Sequence, residues 1–201
     1  MYTVECEEVF SVSLILASGS PRRRLLLVSL GLKFKVIPPL NEEKMGSWED
    51  PLRLAESLAQ QKAREVKTRV DTSIILAADT IVVKDAEIMG KPRDREDAIE
   101  MLQRLSGGSH QVITGVCLID MAGNRELLDT ETTTVNFRQL SELEITRYVD
   151  SGEPFDKAGG YGIQGMGALL VSSIEGCFYN VVGLPLAKLQ TMFQCLGISL
   201  L

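Results

Sequence analysis

Residues 74–83 read IILAADTIVV, a nearly continuous run of apolar and β-branched side chains. A run this short and this apolar fits a central strand covered on both faces, which is the signature of a sheet with helices packed on either side. The expectation is therefore an α/β fold. Asp79 interrupts the run. A carboxylate buried there without a partner would cost several kcal/mol or take up a proton, so it needs a cation, a cluster of donors or a metal. A bulge or strand end that brings Asp79 to solvent is the structural alternative. An acid in the most apolar strand of a chain more often marks a site.

A second stretch, residues 14–30, reads LILASGSPRRRLLLVSL. Leu14 to Ala17 suit a short buried strand, and Ser18, Gly19 and Ser20 break it. Pro21 stands where a first helical position has no use for an N–H, so Ser20 reads as an N-cap and residues 21–30 as a helix. Arg22, Arg23 and Arg24 then crowd the first turn, where the helix dipole is already positive and each misplaced cation costs about 0.3–1 kcal/mol. Three solvated arginines are one reading. The other is a phosphate site built from free backbone N–H groups, the Ser18 and Ser20 hydroxyls and guanidinium forks.

The rest of the chain continues the alternation. Residues 34–37 read as a strand ended by Pro38 and Pro39, and 41–44 as an acidic loop. Asp50 and Pro51 open a helix to about residue 70, with Leu52, Ala55, Ala59 and Val66 as its buried stripe and Lys62 on the same side. That lysine either snorkels to water or reaches into an anion-holding cleft. Residues 84–93 form a turn region. Asp94 caps a helix with Ala98, Ile99, Met101, Leu102 and Leu105 on its apolar side, stopped by Gly107 and Gly108. A hairpin pairs 110–119 with 127–137, and Ser141 with Glu144 is a capping box opening a helix to residue 149. Glycine becomes frequent over 152–183, a last short strand is expected at 181–184, and a helix at 185–196 closes the chain. Residues 1–13 read as an N-terminal extension and 14–201 as one domain with two lobes around a cleft.

Composition narrows the function classes. The net charge of −6 gives no long-range attraction to nucleic acid or an anionic membrane. Any polyanion must meet a local basic pocket. No stretch suits a membrane span or a signal peptide. Cys6, Cys117, Cys177 and Cys195 lack metal-ligand spacing and read as reduced thiols of a cytoplasmic protein. His110 is the sole histidine, expected as a structural hydrogen-bonder, which disfavours Ser–His–Asp catalysis and multi-histidine metal sites. No GxSxG elbow or GxxxxGK[ST] loop occurs. What remains is a set of cations (Arg22, Arg23, Lys62, Lys91, Lys157) and of acids (Glu43, Asp79, Asp156) at turns or cleft-facing positions. That mixture suits a polyphosphate with a divalent cation, Mg²⁺ or Mn²⁺, which takes oxygen ligands from one or two carboxylates, phosphates and water.

Six motifs in order carry a resemblance: SGSPRR at 18–23, AADT around Asp79, GKP at 90–92, SGGSHQVITGV at 106–116, DKAGGYGIQG at 156–165 and VVGLPL at 181–186. Together they resemble the Maf family of nucleoside triphosphate pyrophosphatases. The resemblance implies a mixed, elongated sheet flanked by helices with a central cleft, similar to the inosine triphosphate pyrophosphatases. It implies divalent-metal-dependent hydrolysis of a nucleoside triphosphate to the monophosphate and pyrophosphate. It also implies a homodimer. Carried over by position, Asp79 is the proton acceptor, with Lys62 and Lys91 beside it in the catalytic set. Arg22, Thr80 and Gln164 match positions tied to substrate choice. Arg23 and Glu43 match further site residues, Glu43 with Asp79 as metal ligands, and Ser18, Ser20 and Lys157 complete the substrate site. The ADT and YGIQG wording is similar to the branch acting on dTTP and UTP, with modified pyrimidine nucleotides as further candidates. The Gln164 amide can both donate and accept toward a pyrimidine imide. Ala77 departs from the family, which usually has glycine there. A nucleotide-sensing regulator of cell division that does not cleave is the alternative reading.

Overall fold

The computed structural model describes residues 13–40, 50–71 and 73–201. The expected acidic loop with Glu43, and all of the extension but Ser13, lie outside the described residues.

The apolar run is the centre of the sheet. It forms β3 (Ile74–Lys84), joined by β1 (Leu14–Leu16), β2 (Phe34–Val36), β4 (Glu87–Met89), β5 (Ser109–Asp120), β6 (Arg125–Phe137) and β7 (Val171–Glu175). The order is β2-β1-β3-β5-β6-β7, with β4 also beside β3, in one mixed seven-stranded sheet. On one side β5 runs antiparallel along nearly all of β3, from Ile74↔Asp120 to Val83↔Gln111. On the other side β3 changes partner: β1 pairs parallel with residues 74–76 and β4 antiparallel with 82–84. Among the described residues no strand pairs with that side of β3 over 77–81. Asp79 and Thr80 stand in this gap.

Helices cover both faces. α2 (Pro51–Lys67) lies on the face of Ile75, Ala77, Ile81 and Val83. On the opposite face α1 (Pro21–Ser29) and α6 (Leu186–Cys195) pack on Leu76, Ala78, Val116 and Leu118. Farther along that face α3 (Arg95–Leu105) and α4 (Glu142–Asp150) pack on Val82, Val112, Val135 and Phe137. These two packed groups are the lobes, and the cleft lies between them. The helix starts form as their caps predict. Ser20, Asp50, Asp94 and Ser141 each accept a backbone N–H, and Ser141 with Glu144 makes the full capping box. The expected helices end within a few residues of those observed.

Four expectations change. Residues 181–184 are not a strand: α5 (Phe178–Val182) stands there, ended by Gly183 at φ 120°. The reason is Asn180, fully buried, whose amide donates to Val112 O at 2.9 Å and Thr133 Oγ1 at 3.0 Å, an anchor that overrides the β-propensity of the two valines. Leu52, in the first turn of α2, leaves the buried stripe and is exposed. The turn region contains β4, folded back by Asp85 and Ala86 at φ 51° and 64°, a left-handed pair that suits the twist of a two-residue hairpin. The glycine-frequent segment contains β7 and three short 3₁₀ segments, Glu153–Asp156, Ala158–Gly160 and Gly165–Leu170. Ala77 is accommodated without exposure, packed among Ile15, Ala59, Ala63 and Cys117.

Candidate active site

A cleft of about 580 Å³ opens along the unpaired edge of β3. Every described residue of the expected site lines it: Ser18, Ser20, Arg22, Arg23, Lys62, Asp79, Thr80, Lys91, Lys157 and Gln164. Successive strand residues face opposite sides, so Asp79 belongs to the α2 face and Thr80 to the other. The gap in the β3 edge lets both reach the same cleft.

On the α2 face, Asp79 pairs in register with Gly115. A Cβ on Gly115 would lie 2.1 Å from Ala55 O, so α2 rests directly on the strand backbone. Lys62, two turns after Ala55, is brought down beside Asp79 and donates to Asp79 Oδ1. Their side chains are only 14% and 17% exposed, so each supplies the counter-charge that the other's burial requires.

On the other face, Arg23 is buried. It donates to Gly183 O at 2.8 Å, Ser18 Oγ at 3.2 Å and Thr80 Oγ1 at 3.0 Å. Thr80 Oγ1 lies 2.9 Å from Thr114 Oγ1, and Thr114 donates to Asn180 O at 3.1 Å. Ser18 also accepts Ser20 N–H at 3.2 Å, and Ser20 caps α1 by accepting from Arg23 N. The picture of three like cations crowding one helix start is thereby corrected. Arg23 is tied into the protein's own oxygens, Arg24 is exposed, and Arg22 pairs with Asp156 at 2.9 Å. A bound anion is not needed to make this helix start tolerable.

Asp156 also accepts from Lys157 at 2.6 Å. Burial opposes its ionisation, but the hydrogen bonds from Lys157 and Arg22 outweigh burial and hold its carboxyl below the usual range. Lys157 donates as well to Glu153 O. Lys91 and Gln164 are exposed at the cleft, with no hydrogen-bond partner among the described residues. His110 is buried, with Nε2 2.6 Å from Tyr161 Oη and its ring edge-on to Phe137; burial pushes its pKa down to about 4. It is a neutral structural residue, as expected.

Comparison with known proteins places the chain in a family. A family profile described as Maf-like protein matches residues 13–196. The chain belongs to the Maf family. It is 49% identical to the dTTP/UTP pyrophosphatase of Ruminiclostridium cellulolyticum, over 92% of this chain and 96% of that protein. It is 52% identical to the dTTP/UTP pyrophosphatase of Symbiobacterium thermophilum, over 92% and 94%. Among solved structures, the Staphylococcus aureus Ham1 protein is similar at TM-score 0.47 and 14% identity, over 77% of both chains.

In this Maf chain, no group of three or more His, Cys, Asp or Glu side chains forms a metal cage among the described residues. Among the described residues Asp79 and Asp156 are the carboxylates that line the cleft, Asp156 being held by Arg22 and Lys157. A single carboxylate fits Mg²⁺ or Mn²⁺ in the mode where phosphate oxygens and water complete the shell, and does not fit a protein-enclosed cation. The described cysteines are free thiols, and burial pushes the Cys117 thiol up to about 12. No helix among the described residues is long and apolar enough to cross a membrane.

Sequence reasoning did not single out Thr114, Asn180 or Gly183 as residues that hold the site. Thr114 had a signal, as a polar residue within the apolar run of β5. Asn180 had none, since its partners are 47 and 68 residues away.

Proposed function

We propose that this chain hydrolyses dTTP and UTP to the monophosphate and pyrophosphate. The observation that carries the reading is Asp79, held by Lys62 at the open edge of β3 in a cleft whose other charged walls are mostly cationic. Two relatives named dTTP/UTP pyrophosphatase, aligned over more than nine-tenths of their length, support the same reading.

In the proposed mechanism the triphosphate lies across the start of α1. Arg22 exchanges Asp156 for a phosphate oxygen, and Lys157 and Lys91 neutralise the outer phosphates. The Asp79 carboxylate takes a proton from a water as that water attacks the α-phosphorus. The bond from the α-phosphorus to its bridging oxygen breaks, and pyrophosphate leaves. Lys62 sits where its ammonium can meet the charge growing on the α-phosphoryl oxygens. A divalent cation, Mg²⁺ or Mn²⁺, would be held by Asp79 together with substrate oxygens and water, with Glu43 as a second carboxylate. When bound, it supplies further charge neutralisation on the phosphate oxygens. Gln164 faces the base, where its amide can donate to a carbonyl and accept from the imide N–H of uracil or thymine.

A sensor that binds without cleaving would gain nothing from a carboxylate beside its anion. The test is incubation with a nucleotide panel and Mg²⁺ or Mn²⁺, measuring pyrophosphate against orthophosphate. Pyrophosphate from UTP and dTTP is expected. Orthophosphate, or no release from bound UTP, defeats the proposal.

A further inference from the structure

The loop that carries Gln164 is wrapped around one carboxylate that never touches the cleft. Glu153 Oε1 accepts from Tyr148 Oη at 3.0 Å and Gly167 N at 3.1 Å, while Oε2 accepts from Met166 N at 3.1 Å. Tyr148 Oη accepts in turn from Gly162 N at 3.3 Å. Both ends of the loop over 162–167 are thus tied to the same Glu153–Tyr148 pair.

The glycines of the loop show how close the fit is. Gly165 stands at φ 69°, and a Cβ on it would lie 2.8 Å from Glu153 Oε2. A Cβ on Gly167 would lie 2.1 Å from Gly162 O and 2.8 Å from Tyr148 Oη. A Cβ on Gly162 would meet Lys157 Cε at 2.8 Å, so the stem of that lysine lies against the loop as well. Burial pushes the Tyr148 hydroxyl above the ordinary range, with the Glu153 charge adding to it, so Tyr148 stays a donor at any working pH. Gln164 lies on this hydrogen-bonded backbone and lines the cleft, itself exposed and with no hydrogen bond among the described residues.

We propose that Glu153 and Tyr148 are positioning residues for base selection, fixing the backbone from which Gln164 meets the pyrimidine edge. The inference rests on the pyrimidine-nucleotide reading above. Uracil offers an N–H flanked by two carbonyls, whereas cytosine offers a ring-nitrogen acceptor beside an amino group. A site discriminates these by leaving polar groups unpaired with the wrong base, and it does so only when its own groups are held in place. A side chain on a loose loop would turn to suit either base. Neither Glu153 nor Tyr148 lines the cleft, so their effect on selectivity must pass through the loop.

The test compares Glu153→Gln and Tyr148→Phe with the unaltered protein, using UTP and CTP. Glu153→Gln keeps the shape but turns an N–H against one of the backbone donors. Tyr148→Phe removes the hydroxyl that joins Gly162 to Glu153. The expected result is a fall of about tenfold in the UTP-over-CTP ratio of kcat/KM, carried mainly by KM for UTP, with kcat for UTP changed less than about threefold. A ratio within about twofold of the unaltered protein in both variants overturns the proposal. So does equal loss on both nucleotides, or an unaltered protein that does not distinguish them. If thermal melting shows Glu153→Gln to be unfolded, Tyr148→Phe decides alone. Calorimetric binding of non-hydrolysable UTP and CTP analogues separates the two claims. An unaltered protein that prefers the UTP analogue but releases no pyrophosphate sinks the pyrophosphatase reading and leaves this one standing.

Discussion

On the α2 face of the sheet the central row of β3 and β5 holds Asp79 and Gly115, set between one apolar cluster around Ile75 and another around Ile81. On the opposite face the next row holds Thr80 and Thr114, set between clusters around Leu76 and Val82. Both faces therefore break their hydrophobic packing at the same height. On the α2 face the break admits a charge, and a glycine brings a helix near enough to answer it with Lys62. On the other face the break admits two hydroxyls, knitted into a chain from Asn180 through Thr114 and Thr80 to Arg23. The first arrangement leaves a carboxylate poised at the cleft. The second uses up its polar groups in holding a guanidinium still. An ion pair at the cleft and a hydrogen-bonded chain thus sit back to back on one pair of strands.

The sharpest way to break this contrast is Asp79→Asn. If the α2 face is the reactive one, pyrophosphate release from UTP by the folded variant falls by a factor on the order of 10²–10⁴, and the melting temperature falls too, because Lys62 loses the counter-charge its burial requires. A variant with the unaltered rate would falsify the assignment. Gly115→Ala tests the close approach of α2: the added methyl has no room against Ala55 O, so urea denaturation should show a loss of about 3 kcal/mol, and kcat should fall as Lys62 is displaced. The scaffold face is sharpened by comparing two neighbours. Arg23→Ala strands Gly183 O and Thr80 Oγ1 and should cost about 2 kcal/mol of stability by urea denaturation. Arg22→Ala, losing only a partly exposed ion pair, should cost under about 0.5 kcal/mol yet raise KM for UTP about tenfold. Reversed phenotypes would show that the roles of the two arginines had been exchanged.

The smallest effect concerns His110, which lies on the scaffold side beneath Tyr161. Its folded pKa of about 4 is below the ordinary 6.5, so the unfolded chain binds the proton first as pH falls. The stability contributed by the neutral ring is complete above about pH 6.5, declines as pH falls toward about 4, and is level below that. Urea midpoints at pH 7 and 5 should differ by up to about 2 kcal/mol more in the unaltered protein than in His110→Gln.

Much of the site was legible because its signals are local. Asp79 stood out against IILAADTIVV, Ser20 and Pro21 announced a helix start, and the spacing of Lys62 with Ala55 and Ala59 put it on an inward face. The error at 181–184 had a physical cause. Two valines favour a strand, and nothing nearby in the chain reveals that Asn180 will be drawn into the interior by β5 and β6. The arginines show the same limit. Residue type does not separate Arg22, Arg23 and Arg24; their partners do, Gly183, Thr80 and Ser18 for Arg23 and Asp156 for Arg22.

The amino-acid sequence alone determined that this chain builds an α/β sheet around β3, where the capped helices α1 to α4 begin, and which side chains carry charge toward a common cleft, because periodicity, capping and residue type act over a few neighbours. Only the tertiary structure decided that Arg23 is a buried strut while Arg22 pairs with Asp156, that α2 touches the strand at Gly115, and that Glu153 binds the loop of Gln164. Those outcomes depend on contacts between segments far apart in the chain. Their free energies exist only once the segments have been brought together.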